Sequence, residues 1–168
     1  LQAKKLGNKL KNIKFDNIYS SPSLRTKQTA YNIWPDQIHK IQFFDELLEI
    51  KLGRLEGKLY SDIKKNDFTS HDHFFNKPHL FSVKGAENFK ELTNRSFKII
   101  TELSEKNIGG RIAIVNHGAF IKSFMTYIDQ KQIEEIWNPP FMDNCSHNIV
   151  LFNSESSFSI TRYAGIDK

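Results

Sequence analysis

The chain has 168 residues, enough for one domain with a sizeable core, and 39% of them are hydrophobic. No stretch is apolar for long enough to span a bilayer, and the single cysteine, Cys145, excludes an internal disulfide framework and suits a reducing, cytoplasmic setting. The net charge of +5 invites a nucleic-acid reading, but the lysines are scattered and mixed with acidic residues, so no face collects the charge that a polyanion requires.

In chain order, Ala3, Leu6 and Leu10 recur at helical spacing and predict a helix running to about residue 12. The chain enters this helix with no capping residue ahead of it, which creates the expectation of further material upstream. A strand is predicted over 15–20, then a helix over 23–33 closed by Pro35, with Ser23 as its N-cap. FDELLEIKLGRLEGK, residues 44–58, holds too many glycines for one helix and reads as an extended segment with a turn at Gly53–Gly57. Residues 59–84, rich in Phe and His, read as irregular.

A helix is predicted over 86–105 from the apolar stripe Phe89, Leu92, Phe97, Ile100 and Leu103. RIAIVNHG then forms an apolar strand that breaks at Asn116-His117-Gly118, and a helix resumes over 119–128. Pro139-Pro140 marks a loop. Two β-like runs over 147–153 and 157–163, joined by a polar turn, predict an antiparallel pair. Strands alternating with helices imply a single α/β domain over residues 1–168. The architecture expected is a three-layer sandwich, a mostly parallel mixed sheet flanked by helices, with residues 58–84 as a variable, lid-like insertion.

Ligands of open α/β sheets collect beyond the carboxyl ends of the strands. Two such ends carry suggestive groups. In SSPSLR, residues 20–25, Arg25 falls in the opening turn of a helix, where free N–H groups, the dipole and a planar guanidinium together favour an anion such as phosphate. At the other, His117 ends a strand and Gly118 lets the backbone come close to a ligand. Glu49, flanked by Leu47, Leu48 and Ile50, is a candidate general acid because partial burial raises a carboxyl pKa. Taken singly, a surface arginine, a structural histidine and a solvated carboxylate are the plainer readings.

These residues sit in motifs that resemble the histidine phosphatase (phosphoglycerate mutase-like) superfamily. SSPSLRTKQTA is similar to its S-x-L-x-R-x-x-Q-T-A motif and LLEIKLGRLEG to its L-x-E-x-x-x-G-x-x-E-G. Gly85, Glu87 and Arg95 resemble a third motif, IAIVNHG the second-histidine strand, and MDNCSHNIVLF the closing segment. The matches come in family order along nearly the whole chain. The resemblance implies that Arg25 holds a phosphoryl group, Glu49 protonates the leaving alcohol, His117 contacts the phosphoryl oxygens and Gly118 completes the pocket. No metal or other cofactor is implied.

One departure is large. The family's nucleophile is a histidine in an Arg-His-Gly motif on the first strand, and no Arg-His-Gly occurs in this sequence. The expectation is that a strand–loop–helix entry of about thirty residues precedes Leu1 and supplies it. The function expected is hydrolysis of small phosphomonoesters through a phosphohistidine. Only residues 58–84 separate the Glu49 motif from Gly85, shorter than the insertion of the family's mutases, which favours hydrolysis over phosphoglycerate mutase activity. A catalytically inactive, phospho-ligand- or protein-binding relative is the alternative from another class. The expected partner is a small phosphorylated substrate, with no nucleic acid and no membrane; the oligomeric state is open, with a homodimer one option.

His71, His73 and His79 lie close in sequence, but no carboxylate or cysteine set of ligand spacing joins them, so no metal site is expected. Phe68, Phe74, Phe75 and Phe81 are expected to cover the pocket or fill a minor core, and Glu87 with Arg95 to form a structural ion pair or a helix-start feature rather than to act in catalysis.

Overall fold

Burial alternates along the first strand. Ile18 turns into a cluster with Leu10, Ala30, Ile33, Trp34, Ile41 and Val115, while Tyr19 turns into a second cluster with Leu47, Phe89, Leu92, Leu103 and Phe120. A strand buried on both faces needs a layer of helices on each side, and the chain supplies them. The computed structural model describes residues 1–153 and 157–168. Helix α1 (Gln2–Leu10) and helix α2 (Leu24–Ile33) cover one face of strand β1 (Asn17–Ser20). Helix α5 (Phe89–Glu105) and helix α6 (Gly118–Ile128) cover the other. Helices α1 and α2 touch through Gly7, where a Cβ would meet the Ile33 carbonyl oxygen at 2.6 Å.

The expected parallel sheet between helices is present, and the antiparallel strands of the tail stand beside it. Strands β2 (Ile41–Phe43), β1 and β3 (Ile112–Val115) form a parallel sheet in the order β2-β1-β3. Strands β4 (Ile149–Phe152), β5 (Phe158–Tyr163) and β6 (Ile166–Asp167) form a separate antiparallel sheet. Among the described residues, β3 and β4 pair with no strand on their outward edges. A cavity of about 690 Å³ opens beside them, lined among others by Leu6, Ile112, Ile114, Val150 and Phe158. The antiparallel pair expected near the end of the chain is present as β4 and β5; the polar turn proposed to join them falls partly outside the described residues.

Three local expectations are corrected. Strand β2 was not predicted, because three residues are too few to show a period of two. Helix α5 begins at Phe89 rather than residue 86. Asn88 accepts from Glu91 N while the Glu91 carboxylate accepts from Asn88 N, a reciprocal cap that fixes the start, and Ala86 is instead bridged to Leu52. Residues 59–84 are not irregular, but fold into α3 (Tyr60–Asn66), α4 (Phe68–Asn76) and a 3₁₀ turn at Pro78–Leu80. Their period was hidden because the apolar residues there are rings that pack on one another, not a stripe along one helix. Phe74 and Phe81 are 6% and 2% exposed and belong to the main core, whereas Phe68 is 61% exposed.

Gly53 has φ +57°, and a Cβ there would lie 2.4 Å from the Lys84 carbonyl oxygen and the Ala86 nitrogen. Only glycine lets the loop after Glu49 meet the loop before α5 this closely. No helix among the described residues is long and apolar enough to cross a membrane.

Candidate active site

Because β1 and β3 run parallel with Ser20 opposite Val115, their carboxyl ends open onto the same edge of the sheet. Ser21 N donates to the Val115 carbonyl at 3.1 Å, which carries the pairing one residue past the strand and sets Ser21 beside His117. Arg25 follows in the first turn of α2. Its Nε donates to His117 Nδ1 at 2.9 Å. Nδ1 is therefore the unprotonated nitrogen, and Nε2–H donates to Ser21 Oγ at 2.8 Å. Burial, followed by the charges of Arg25 and Arg95, lowers the His117 pKa to about 4, so the ring is neutral at pH 7.

Glu49 arrives from the loop after β2. Its Oε1 accepts from Ile50 N and from Phe120 N, each at 3.0 Å, and Oε2 accepts from Ala119 N at 3.2 Å. Two of those donors are free N–H groups of the first turn of α6. Burial raises the Glu49 pKa above its ordinary value against the opposing pull of these bonds and of Arg25. Gly118 is the exposed first residue of α6, and a Cβ there would meet nothing within 4 Å. Arg25, Glu49, His117 and Gly118 all line the one 690 Å³ cavity, so the four residues expected from sequence converge.

The arrangement differs in detail from what was expected. Ser23 stands at the N-cap position, but its hydroxyl pairs with Thr26 Oγ1 at 2.8 Å rather than capping a backbone N–H. Both ring nitrogens of His117 are engaged, Nδ1 by Arg25 and Nε2 by Ser21. Ser21 was missed. Its signal was available, a serine one residue past a strand end opposite a histidine, but the register that pairs them was not legible. Glu87 and Arg95 do form an ion pair, with Nη2 to Oε2 at 2.6 Å. The histidines of α4 and its following turn do not converge: His71 stacks on Phe75 at 4.9 Å, and His79 Nδ1 faces Glu134 at 3.4 Å. No group of three metal-ligating side chains occurs among the described residues.

An arginine, a neutral histidine and a carboxyl with a raised pKa are gathered at the carboxyl edge of a parallel sheet in an α/β protein. Residues 1–164 match the histidine phosphatase superfamily (branch 1), and the chain belongs to that family. It is 24% identical over 149 residues to phosphoserine phosphatase 1 of Hydrogenobacter thermophilus, covering 89% of this chain and 70% of the relative. A metal-independent phosphoserine phosphatase of Arabidopsis thaliana is 26% identical over 120 residues, 67% of this chain and 48% of the relative. The solved structure of Bacillus stearothermophilus YhfR superposes with a TM-score of 0.92 at 28% identity, covering 97% of this chain and 80% of that one.

Proposed function

We propose that the protein is a metal-independent phosphatase of small phosphomonoesters. The observation that carries the reading is the pairing of protonation states at one cavity: His117 held neutral, and Glu49 held toward its protonated form beside the Arg25 cation. That division suits a reaction in which a dianionic ester is bound, charge is neutralised and an alkoxide must leave as an alcohol. The phosphoserine phosphatases among the relatives support a small phosphorylated alcohol as substrate, and the short 58–84 insertion favours release to water over transfer to a second substrate.

The nucleophile is proposed to come from a strand outside residues 1–168, seated between β3 and β4. Two observations support the slot. Among the described residues no strand pairs with the outward edges of β3 and β4, which border one cavity, and Asn116, which lines it, has a buried Nδ2 with no hydrogen-bond partner.

The guanidinium Nη groups of Arg25, its Nε being engaged with His117, hold the phosphoryl oxygens, with the Gly118 backbone completing the pocket. An imidazole from the added strand attacks phosphorus as the P–O bond to the alcohol breaks, and Glu49 gives its proton to the departing oxygen. The Glu49 carboxylate next takes a proton from water, whose oxygen attacks the phosphohistidine and releases inorganic phosphate. When substrate enters, His117 turns its Nε2–H from Ser21 to a phosphoryl oxygen, Nδ1 still accepting from Arg25. Residues 1–168 alone carry no Arg-His-Gly, and by themselves are expected to bind phosphate without turning it over.

The test is release of p-nitrophenol from p-nitrophenyl phosphate in excess chelator by the chain extended with its strand-bearing segment, with residues 1–168 as control. Glu49→Gln should lower turnover of an alkyl phosphate by about 10²–10⁴-fold and of p-nitrophenyl phosphate by much less, because the better leaving group needs little protonation. Activity confined to phosphoglycerates and dependent on a bisphosphate primer would transfer the reading to a mutase.

A further inference from the structure

We propose that Arg95 is a positioning residue that aims the Glu49 carboxyl, and that Glu87 holds Arg95 in place for it; the inference rests on the reading of Glu49 as the proton donor. Arg95 rises from the second turn of α5, and an ion pair with Glu87 alone would use only part of its guanidinium. The remaining donors go to one loop. Nη1 donates to the carbonyls of Glu46 at 2.7 Å and Leu48 at 2.8 Å, and Nη2 reaches the carbonyl of Glu49 itself at 3.4 Å. Nε and Nη2 meet the two Glu87 oxygens at 2.8 and 2.6 Å in a bidentate fork.

This loop has no regular structure to fix it. It turns through a single 3₁₀ turn at Asp45–Leu47 and then runs extended at Leu48. Three carbonyls from four consecutive residues facing one cation set the direction of the main chain from which the Glu49 side chain departs. Glu87 adds a second tie, its backbone N–H donating to the Lys51 carbonyl at 2.9 Å. The loop is thus gripped on both sides of the acid.

Phe120 closes the arrangement. Its N–H holds Glu49 Oε1 at 3.0 Å, while the Arg95 guanidinium lies over its ring, 5.5 Å from the centroid. Main chain and carboxyl of Glu49 are therefore referenced to the same residue of α6 from two directions. A lysine at position 95 would keep the charge but has no planar fork with which to reach Glu87 and the carbonyls together.

The experiment follows the Glu49 carboxyl directly, by ¹³C NMR titration of glutamate-labelled protein with Glu49→Gln to assign the signal. The variants are Arg95→Met, Arg95→Lys and Glu87→Gln, each checked for folding by circular dichroism and thermal melting. In folded Arg95→Met the Glu49 titration should fall back toward the ordinary carboxylate range, with Arg95→Lys and Glu87→Gln between it and the wild type. If Arg95→Met does not fold, the other two variants carry the same comparison. In the active chain, the same variants should lose at least about tenfold more kcat on an alkyl phosphate than on p-nitrophenyl phosphate. An unchanged Glu49 titration in a folded variant, or equal losses on the two esters, would overturn the proposal. Absence of any phosphomonoesterase activity in the wild type would sink the proposed function instead and leave the NMR comparison to decide this one.

Discussion

At the carboxyl ends of β1 and β3, side chains are fixed by hydrogen bonds: Arg25 to His117, His117 to Ser21, and Glu49 to three backbone N–H groups. Helices α3 and α4, by contrast, are fixed by rings. Phe74 lies 4.9 Å from Phe75, 5.1 Å from Phe81, 5.2 Å from Phe89 and 5.5 Å from Trp137. Tyr60 joins the two regions. Its ring meets Phe75 edge-on at 5.4 Å, it is half-exposed, and its phenol pKa is raised by burial and then by the charge of Glu49. The contrast teaches where precision is needed. A reacting centre requires directional bonds that fix a proton and a charge, whereas an insertion beside it needs only enough buried area to stay folded.

The comparison can be broken in three places. The largest effect should come from the ring cluster. Phe74→Ala removes a side chain touching five aromatic neighbours, and should cost about 3–5 kcal/mol in denaturant unfolding. The ratio of kcat/KM for alkyl and aryl phosphates should remain close to that of the wild type, and a collapse of that ratio would show that the insertion itself directs the chemistry. Arg25→Ala should do the reverse. The residue is exposed but its Nε satisfies buried His117 Nδ1, so stability should fall by only about 1–2 kcal/mol. Its loss should lower kcat/KM by about 10²–10³-fold and weaken binding of inorganic phosphate. A variant that binds phosphate as well as the wild type would remove Arg25 from the site.

The smallest effect sharpens the electrostatic side. His117 titrates near 6.5 when unfolded and at about 4 when folded, so its contribution is fully present above pH 6.5 and is lost as pH falls through about 4. Over that window the protein should lose about 2–3 kcal/mol attributable to this ring. His117→Gln should flatten the pH dependence between those limits, as read by urea unfolding at a series of pH values. An unaltered slope would mean that the ring is solvated and not held as the hydrogen bonds place it.

Much of the site was legible because its residues announce themselves by type and by place. Arg25 follows a strand and a Ser-Pro turn, His117 ends an apolar strand before glycine, and Glu49 sits among leucines and isoleucine. Ser21 and the grip of Arg95 on Glu46, Leu48 and Glu49 were not legible, since both depend on which strand lies beside which and how far one loop travels. Helices α3 and α4 escaped for another reason: mutual ring packing leaves no 3.6-residue stripe to read.

By itself the sequence determined the alternation of strand and helix, the glycine turns and the residue types that meet a phosphoryl group. These follow from local forces, side-chain periodicity and backbone preference, which act within a few residues. Tertiary structure alone decided that His117 is neutral and faces Ser21. It also decided that one guanidinium directs the Glu49 loop. Register, burial and desolvation arise from groups far apart in the chain, and no local pattern encodes them.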